Sequence, residues 1–271
     1  MQTSNQFIYA VGDAVSSFDP ISNASRVVPL AGPAAKQALV AVNNIFGIKD
    51  SYQGTIGTAI LKIFSLTCAL TGNNEKTLKI NNIGFNKVYT HPLNHAGYYP
   101  GASQMSIKLI FDNIDGKVLG AQIIGKDGVD KRIDILSVAC QHKLKVEDLS
   151  KMELSYAPPY GSAKDPINLA GMAALNHIRG ISKLEYWENL KEDDFLLDVR
   201  TEKEVSRAPV KNAYNIPVDS LRQRINEVPK DKKIAVFCHV GVRAHSAVRI
   251  LMQNGFNAVN ISGGFLTYKN L

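Results

Sequence analysis

Several features that mark other classes of protein are scarce or missing in this sequence of 271 residues. It has three cysteines, Cys68, Cys140 and Cys238, too few and too widely spaced for a disulfide framework or a zinc site. No stretch approaches the roughly 20 consecutive apolar residues that span a bilayer, and no basic segment precedes the short apolar run near the N-terminus. These absences predict a cytoplasmic protein in a reducing compartment, without a metal and without membrane contact.

The distribution of charge also indicates which kinds of partner this sequence could bind. The formal net charge of +7 is spread along the chain, and no Lys/Arg run alternates with aromatic residues, so nothing indicates nucleic-acid binding. The simplest interpretation of the basic excess is a solvated surface. Attraction of anionic substrates, such as thiosulfate, polysulfide or the phosphates of coenzyme A, is the alternative.

Three segments differ in pattern: residues 1–47, 48–180 and 181–271. In the first, the apolar run 7–11 is typical of a buried parallel strand, and a helix is predicted over 33–46. A buried strand needs neighbours on both sides, and this segment supplies almost none. We therefore expect residues 1–47 to be the last piece of a larger domain.

The other two segments predict different arrangements. For the second we predict a helix, three strands and two helices, over residues 59–70, 79–89, 106–112, 117–125, 130–142 and 166–178. Strands followed by helices favour an α+β domain. The third alternates strands with helical stretches, at residues 195–199, 220–227, 234–238, 243–254 and 258–261. Such alternation indicates an α/β domain with a parallel sheet.

The most specific chemical feature is a cysteine at the end of an apolar strand. Cys238 closes the run, Arg243 follows after four intervening residues, and a helix begins there. The N–H groups of such a strand-to-helix loop converge on an anion, and the helix N-terminus adds partial positive charge. This setting favours the thiolate, the nucleophilic form of cysteine. A small buried residue that closes the strand is the structural alternative for Cys238.

This loop resembles the active-site loop of the rhodanese family, in which a cysteine opens a loop ahead of a helix. The resemblance extends over most of the third segment, through an Asp-Val-Arg signature, an Asn-Ile-Pro stretch with a following Leu-Arg, and a closing Gly-Gly, at residues 198–200, 215–217, 221–222 and 263–264. Residues 206–212 depart from it, because the family usually has a Gly-His-Ile-Pro-Gly run there.

The rhodanese resemblance implies a sulfurtransferase. Cys238 would take the outer sulfur of a small donor and hold it as a persulfide until a thiol acceptor removes it, while Arg243 would brace the loop or attract anionic donors. The residues whose amides would stabilise that sulfur are His239, Val240, Gly241 and Val242. Phosphatases on this fold have five residues between cysteine and arginine, so the four here favour sulfur over phosphate. His239 and His245 could assist, or could be solvated surface residues.

The first two segments resemble the C-terminal third of the pyridine nucleotide-disulfide oxidoreductases, in the coenzyme A-disulfide reductase and NADH oxidase branch. Residues 7–13 look like the family's second flavin motif, so that Gly12, Asp13 and Ala34 would contact FAD in the intact family protein. A strand-end turn residue is the alternative for Asp13. The N-terminal flavin motif, the nicotinamide domain and the redox cysteine are missing, so we expect this chain not to retain FAD or reduce disulfides. Coenzyme A binding stays open.

Two motifs, at residues 94–101 and 155–160, look like the tyrosine-bearing motifs of this family's dimerisation domain. The resemblance implies a homodimer through residues 48–180, in which Tyr98 and Tyr156, with Tyr99 and Tyr160 close behind, reach the partner subunit's redox cysteine. Packed interface aromatics are the alternative. Cys68 and Cys140 lie in apolar helical patterns and are predicted to be core residues.

Two hypotheses for the whole chain follow. In the first, it is an enzyme, a sulfurtransferase attached to a dimerisation module in part of a flavin-dependent reductase. In the second, it is a catalytically silent dimerisation or docking fragment of that reductase.

Overall fold

The computed structural model describes residues 1–270 and contains two compact units. The first consists of Met1–Asn86 and Ile110–Lys145, and the second of Lys87–Leu109 and the chain from Val146 onward. This division differs from the three segments of the sequence, because the second unit takes up parts of both the middle and the last segment.

The elements up to residue 145 begin with a 3-10 turn at Gly12–Ala14. They continue as β1 (Ser16–Phe18), β2 (Ser25–Val27), α1 (Ala31–Ile45), β3 (Ala59–Ile63), β4 (Leu66–Gly72), α2 (Glu75–Ile80), β5 (Phe85–Thr90), β6 (Ser106–Asp112), β7 (Val118–Gly125) and α3 (Val129–Gln141). One sheet has the order β3-β4-β7-β6-β5, and β1 pairs separately with β2. In the first unit, Leu78, Ile110 and Leu119 form a buried apolar cluster.

The helix predicted over 59–70 is wrong, because this run is an antiparallel hairpin of β3 and β4. Phe64 takes a left-handed conformation, with φ of 50°, at the turn between the strands. A continuous apolar run fits a strand or a buried helix equally well, and pairing with β7 decides for the strand here. Cys68 therefore lies on a strand and is half-buried, whereas Cys140 lies on α3 and is buried.

The strand predicted over 7–11 is also wrong. Phe7 is 83% exposed, and the local pairing is one isolated bridge between Gln2 and Tyr9. A buried parallel strand needs hydrogen-bonding neighbours, and the described residues provide none for this run. Two further boundaries differ: the predicted strand 79–89 is the end of α2 followed by β5, and the helical stretch 220–227 is two 3-10 turns, Val218–Ser220 and Ile225–Glu227.

The remaining elements lie in the second unit. They are α4 (Val146–Lys151), α5 (Pro166–Ile178), β8 (Leu184–Glu185), β9 (Phe195–Asp198), α6 (Glu202–Arg207), β10 (Tyr214–Asn215), β11 (Ile234–Phe237), α7 (Val242–Gln253), β12 (Ala258–Ile261) and α8 (Gly264–Tyr268). The helix α5 begins at a capping box formed by Asp165 and Asn168, which explains its sharp start at Pro166.

Five of these strands form a parallel sheet in the order β10-β9-β11-β12-β8. All four residues of the central strand β11 are buried, so the strand lies in the core between two layers of apolar side chains. The predicted mixture of an α/β domain with a parallel sheet and an α+β domain is confirmed.

Candidate active site

The site lies where β11 ends. Cys238 follows the last residue of this central strand, at the carboxyl edge of the parallel sheet, where α/β folds place their ligands. The chain then turns into α7 through Gly241, whose φ of 97° is in the left-handed region that favours glycine. The sheet and the helix therefore fix both ends of a short loop around the cysteine.

The loop is closed around the Cys238 sulfur. The N–H of Gly241 donates a hydrogen bond to Cys238 Sγ at 3.1 Å, and the cysteine is only 1% exposed. On the other side, the carbonyl oxygens of Cys238 and His239 accept hydrogen bonds from the N–H groups of Phe265 and Leu266, at 2.8 and 3.0 Å. These bonds tie the loop to α8, so the backbone amides around the sulfur are held in place.

A charged pair lies beside the sulfur. The Arg243 guanidinium donates two hydrogen bonds of 2.6 Å to the carboxylate of Glu204, on α6. Glu204 is also fixed by a capping box with Thr201. Arg243 lowers the pKa of Glu204 to about 2, while Glu204 and, secondarily, the nearby sulfur of Cys238 raise the pKa of Arg243. A fixed cation therefore lies close to the thiol.

Sequence reasoning missed Glu204. The signal was present, because Thr201 and Glu204 have the spacing of a capping box directly after the Asp-Val-Arg stretch. That spacing predicts a helix start, but it does not predict that the same carboxylate reaches an arginine 39 residues later.

The Asp-Val-Arg stretch at residues 198–200 stabilises the elements that hold the cysteine loop. Arg200 and Asp198 form an ion pair of 2.6 Å in which both side chains are only 1% exposed. The guanidinium of Arg200 also lies 4.2 Å from the ring centre of Phe265 and 5.4 Å from that of Phe237. This pair packs α8 against β11, and those two elements hold the cysteine loop.

The two histidines of the site are partly covered. The ring of His239 stacks on Phe265 at 6.1 Å, and burial lowers the pKa of His245 on α7. The two remaining loop residues differ in exposure, since Val240 is half-buried and Val242 is 70% exposed.

The two predicted tyrosines come together although they lie 58 residues apart in the sequence. Tyr98 Oη and Tyr156 Oη are 3.0 Å apart, and this hydrogen bond raises the pKa of Tyr156. Both side chains are exposed, at 77% for Tyr98 and 48% for Tyr156. Tyr99 and Tyr160 are exposed as well, and Tyr99 also packs edge-on against His95. Contact with a partner subunit stays a prediction.

The residues assigned to FAD by resemblance also lie together. The N–H of Gly12 donates to Gln37 Oε1 at 2.7 Å, and a Cβ on Gly12 would lie 3.9 Å from that of Ala34, in the first turn of α1. Asp13 is exposed, and so is Phe7. Because Asp13 and Phe7 are exposed, these residues do not by themselves enclose a flavin, and no reaction step is assigned through FAD.

Residues 1–270 show no membrane-spanning helix and no metal-binding cluster. No described helix is long and apolar enough to cross a membrane. The same residues contain no group of three or more His, Cys, Asp or Glu side chains that could hold a metal ion.

Comparison with known proteins assigns two domains. Residues 58–165 match the dimerisation domain of the pyridine nucleotide-disulphide oxidoreductases, and residues 182–271 match the rhodanese-like domain. A coenzyme A disulfide reductase of Staphylococcus epidermidis is 38% identical over 174 residues, which are 64% of this chain and 39% of that protein.

Two solved structures are similar over almost the whole chain. Reduced CoADR-RHD of Bacillus anthracis has 45% sequence identity and a TM-score of 0.95, over 98% of this chain and 49% of that one. An NAD-dependent persulfide reductase of A. fulgidus has 36% identity and a TM-score of 0.91, over 99% of this chain and 50% of that one. The chain thus spans about half the length of these relatives or less.

Proposed function

Because this chain joins a pyridine nucleotide-disulphide oxidoreductase dimerisation domain to a rhodanese-like domain, we propose that it transfers sulfur through a persulfide on Cys238. The observation that carries the proposal is the geometry around Cys238 Sγ. A backbone N–H of Gly241 donates to the sulfur at 3.1 Å, and the Arg243 cation lies beside it. Donors that already point at a sulfur stabilise negative charge on it without rearrangement.

In the first half-reaction, the Cys238 thiolate attacks the outer sulfur of a donor such as thiosulfate. A new S–S bond forms to Cys238 while the S–S bond of thiosulfate breaks, and sulfite leaves with the electron pair. The enzyme is then a persulfide whose terminal sulfur carries the negative charge. The Gly241 amide and the partial positive charge at the start of α7 stabilise it.

In the second half-reaction, a nucleophilic acceptor attacks the terminal sulfur. The persulfide S–S bond breaks, the Cys238 thiolate is regenerated, and the acceptor leaves with the sulfur; cyanide leaves as thiocyanate. The four residues between Cys238 and Arg243 form a small loop, which supports a single sulfur atom rather than a tetrahedral phosphate as its occupant.

The test is thiocyanate formation from thiosulfate and cyanide by the purified chain and by Cys238→Ser. We expect activity in the unsubstituted chain and a loss of more than about 100-fold in the variant, because serine is a far weaker nucleophile. Cys68→Ser is the matched control and should keep full activity, because Cys68 lies on β4 and outside the loop. Absence of activity with thiosulfate and with polysulfide would favour the catalytically silent scaffold instead.

The relatives support a wider role as part of a flavin-dependent reductase of coenzyme A disulfide or of persulfides. In that setting Cys238 would exchange sulfur with a reductase centre that lies outside these residues, and FAD and coenzyme A would belong to the whole protein. An absorbance scan of the purified chain tests for retained flavin, and we expect no flavin peak.

We also propose a homodimer through the dimerisation domain, with the exposed pair Tyr98 and Tyr156 facing the partner. Analytical ultracentrifugation at micromolar concentration tests this, and a monomer would contradict it. Substitution of both tyrosines by alanine should weaken the dimer without changing the activity of Cys238.

A further inference from the structure

Two short segments that are far apart in the sequence pack together in the second unit. Residues 89–91, at the end of β5, belong to the stretch matched to the dimerisation domain, and residues 262–267, which include most of α8, belong to the rhodanese-like domain. The N–H of Tyr89 donates to Ser262 Oγ at 2.8 Å. A Cβ on Gly263 would lie only 2.8 Å from that of Tyr89, so no side chain fits between the two segments at this point.

The ring of His91 joins the same two segments. Its Nε2 lies 2.9 Å from Thr267 Oγ1 on α8, and its Nδ1 lies 2.8 Å from the Oγ of Ser106, the first residue of β6. Burial and, secondarily, the charge of His239 lower the pKa of His91 to about 4. At neutral pH the ring is therefore uncharged, with one donor nitrogen and one acceptor nitrogen, and a hydroxyl group can complement either.

The helix α8, which carries Thr267, also holds the cysteine loop. The N–H of Phe265 donates to the Cys238 carbonyl oxygen at 2.8 Å. The N–H of Leu266 donates to the carbonyl oxygen of His239 at 3.0 Å. Because these carbonyl groups belong to the loop itself, a shift of α8 moves the backbone that surrounds the sulfur.

We propose that His91 is a positioning residue for sulfur transfer, which acts through Thr267 and α8 on the loop around Cys238. The hydrogen bond to Thr267 fixes the end of α8, while Trp187 Nε1, which donates to the Gly264 carbonyl at 3.0 Å, fixes its start. This role rests on the sulfur-transfer function proposed for Cys238. The loop of the rhodanese-like domain is thereby supported by a residue of the adjoining dimerisation domain.

Two substitutions of Thr267 test the link. Thr267→Val keeps the shape of the side chain and removes the hydroxyl, whereas Thr267→Ser keeps the hydroxyl. We expect Thr267→Val to lower kcat/KM for thiosulfate about fivefold, because one hydrogen bond is lost while Trp187 still holds α8. Thr267→Ser should stay within about twofold of the unsubstituted chain. An unchanged rate in Thr267→Val, or the same loss in both variants, would overturn the proposal.

Amide NMR of the folded protein follows the loop without any sulfur donor. The N–H of Gly241 donates to Cys238 Sγ at 3.1 Å and lies far from position 267 in the sequence. Its proton should shift upfield in Thr267→Val, because a displaced loop weakens this hydrogen bond, and should not shift in Thr267→Ser. The amide proton of Gly255, which follows α7, is the internal control and should not move. A loss of stability alone leaves the shifts of the folded state unchanged.

This measurement separates the two hypotheses. If the unsubstituted chain is inactive, sulfur transfer fails, but the Gly241 shift still reports whether Thr267 positions the loop. An unmoved Gly241 proton in Thr267→Val would refute the positioning role even in an active chain.

A double-mutant cycle tests whether His91 acts through Thr267. His91→Phe keeps a flat ring and removes both nitrogens, and we expect it to lower kcat/KM about tenfold. The double variant with Thr267→Val should be no more than about twofold slower than His91→Phe alone, because both substitutions remove the same link. His142→Phe, the same change at an exposed position, should keep the full rate. Losses that multiply in the double variant would show that the two residues act separately and would overturn the proposal.

Discussion

Glu204 and Arg243 form a two-point ion pair in which each guanidinium nitrogen lies 2.6 Å from a different carboxylate oxygen. Glu204 is itself held by Thr201 at the start of α6. The arginine next to the reactive sulfur is therefore oriented by a residue that does not touch the sulfur, which makes Glu204 a positioning residue.

Glu204→Gln should lower kcat/KM for thiosulfate about tenfold, because Arg243 loses the fork that fixes its orientation. Glu202→Gln is the matched control, an exposed glutamate on the same helix, and should leave the rate unchanged. Steady-state kinetics measure both. Since Arg243 lowers the pKa of Glu204 to about 2, the pair persists at neutral pH and is lost only as pH falls toward 2. If kcat/KM of Glu204→Gln equals that of the unsubstituted protein from about pH 6 to about pH 8, the positioning role is refuted.

Gly264→Ala should destabilise the protein and reduce sulfur transfer. A Cβ at this position would overlap the carbonyl oxygen of Cys238, and Gly264 also has a φ of 56°. We expect a loss of roughly 2–3 kcal/mol in the free energy of unfolding from strain and overlap together. Gly255→Ala separates the two effects, because Gly255 has a φ of 81° but no atom within 4 Å of the added Cβ. Gly255→Ala should lose about 1 kcal/mol in the free energy of unfolding and keep its activity. Urea denaturation measures both variants. Equal losses of stability in Gly264→Ala and Gly255→Ala would contradict the overlap.

Asp198→Asn should be more damaging than its small change in size suggests. It leaves Arg200 as a buried cation without its counter-charge, since both side chains are 1% exposed. We expect a loss of about 3–5 kcal/mol in the free energy of unfolding. Lys151→Gln, which breaks the exposed pair with Glu147, should cost less than about 0.5 kcal/mol. Comparable losses in thermal or urea unfolding would show that the buried pair is not a structural support.

Protonation of His91 should destabilise the protein in mild acid. Burial and, secondarily, the charge of His239 lower the pKa of His91 from 6.5 to about 4. Its ring nitrogens lie 2.8 Å from Ser106 Oγ and 2.9 Å from Thr267 Oγ1. In the unfolded chain this histidine keeps its ordinary pKa and is protonated at a higher pH than in the folded protein. The free energy of unfolding therefore falls as pH is lowered from 6.5 toward 4, by about 3 kcal/mol at most.

Unfolding free energies measured across this pH interval check the prediction for His91. In His91→Gln the pH dependence should flatten, because the titrating ring is gone, although the variant starts from a lower stability. His142→Gln changes an exposed histidine and should keep the pH dependence of the unsubstituted protein. A dependence that is the same in all three proteins would assign the acid effect to other groups.

The sequence alone determined the parallel sheet and the cysteine loop of the second unit. The apolar strand before Cys238, the glycine at 241 and the following helix are contiguous, so their geometry is set by local rules of strands, turns and helix starts. The same is true of α5, whose start at Pro166 follows from its capping box.

Only the tertiary structure decided the features that depend on distant partners. The run 59–70 is compatible with a helix until β7 offers a strand to pair with, and residues 7–11 have a strand pattern but no described neighbours. The pairs Glu204 with Arg243 and Tyr98 with Tyr156 join residues far apart in the chain. Local preferences are too weak to specify such contacts, because hydrogen bonds and burial depend on which groups the fold brings within a few ångströms of each other.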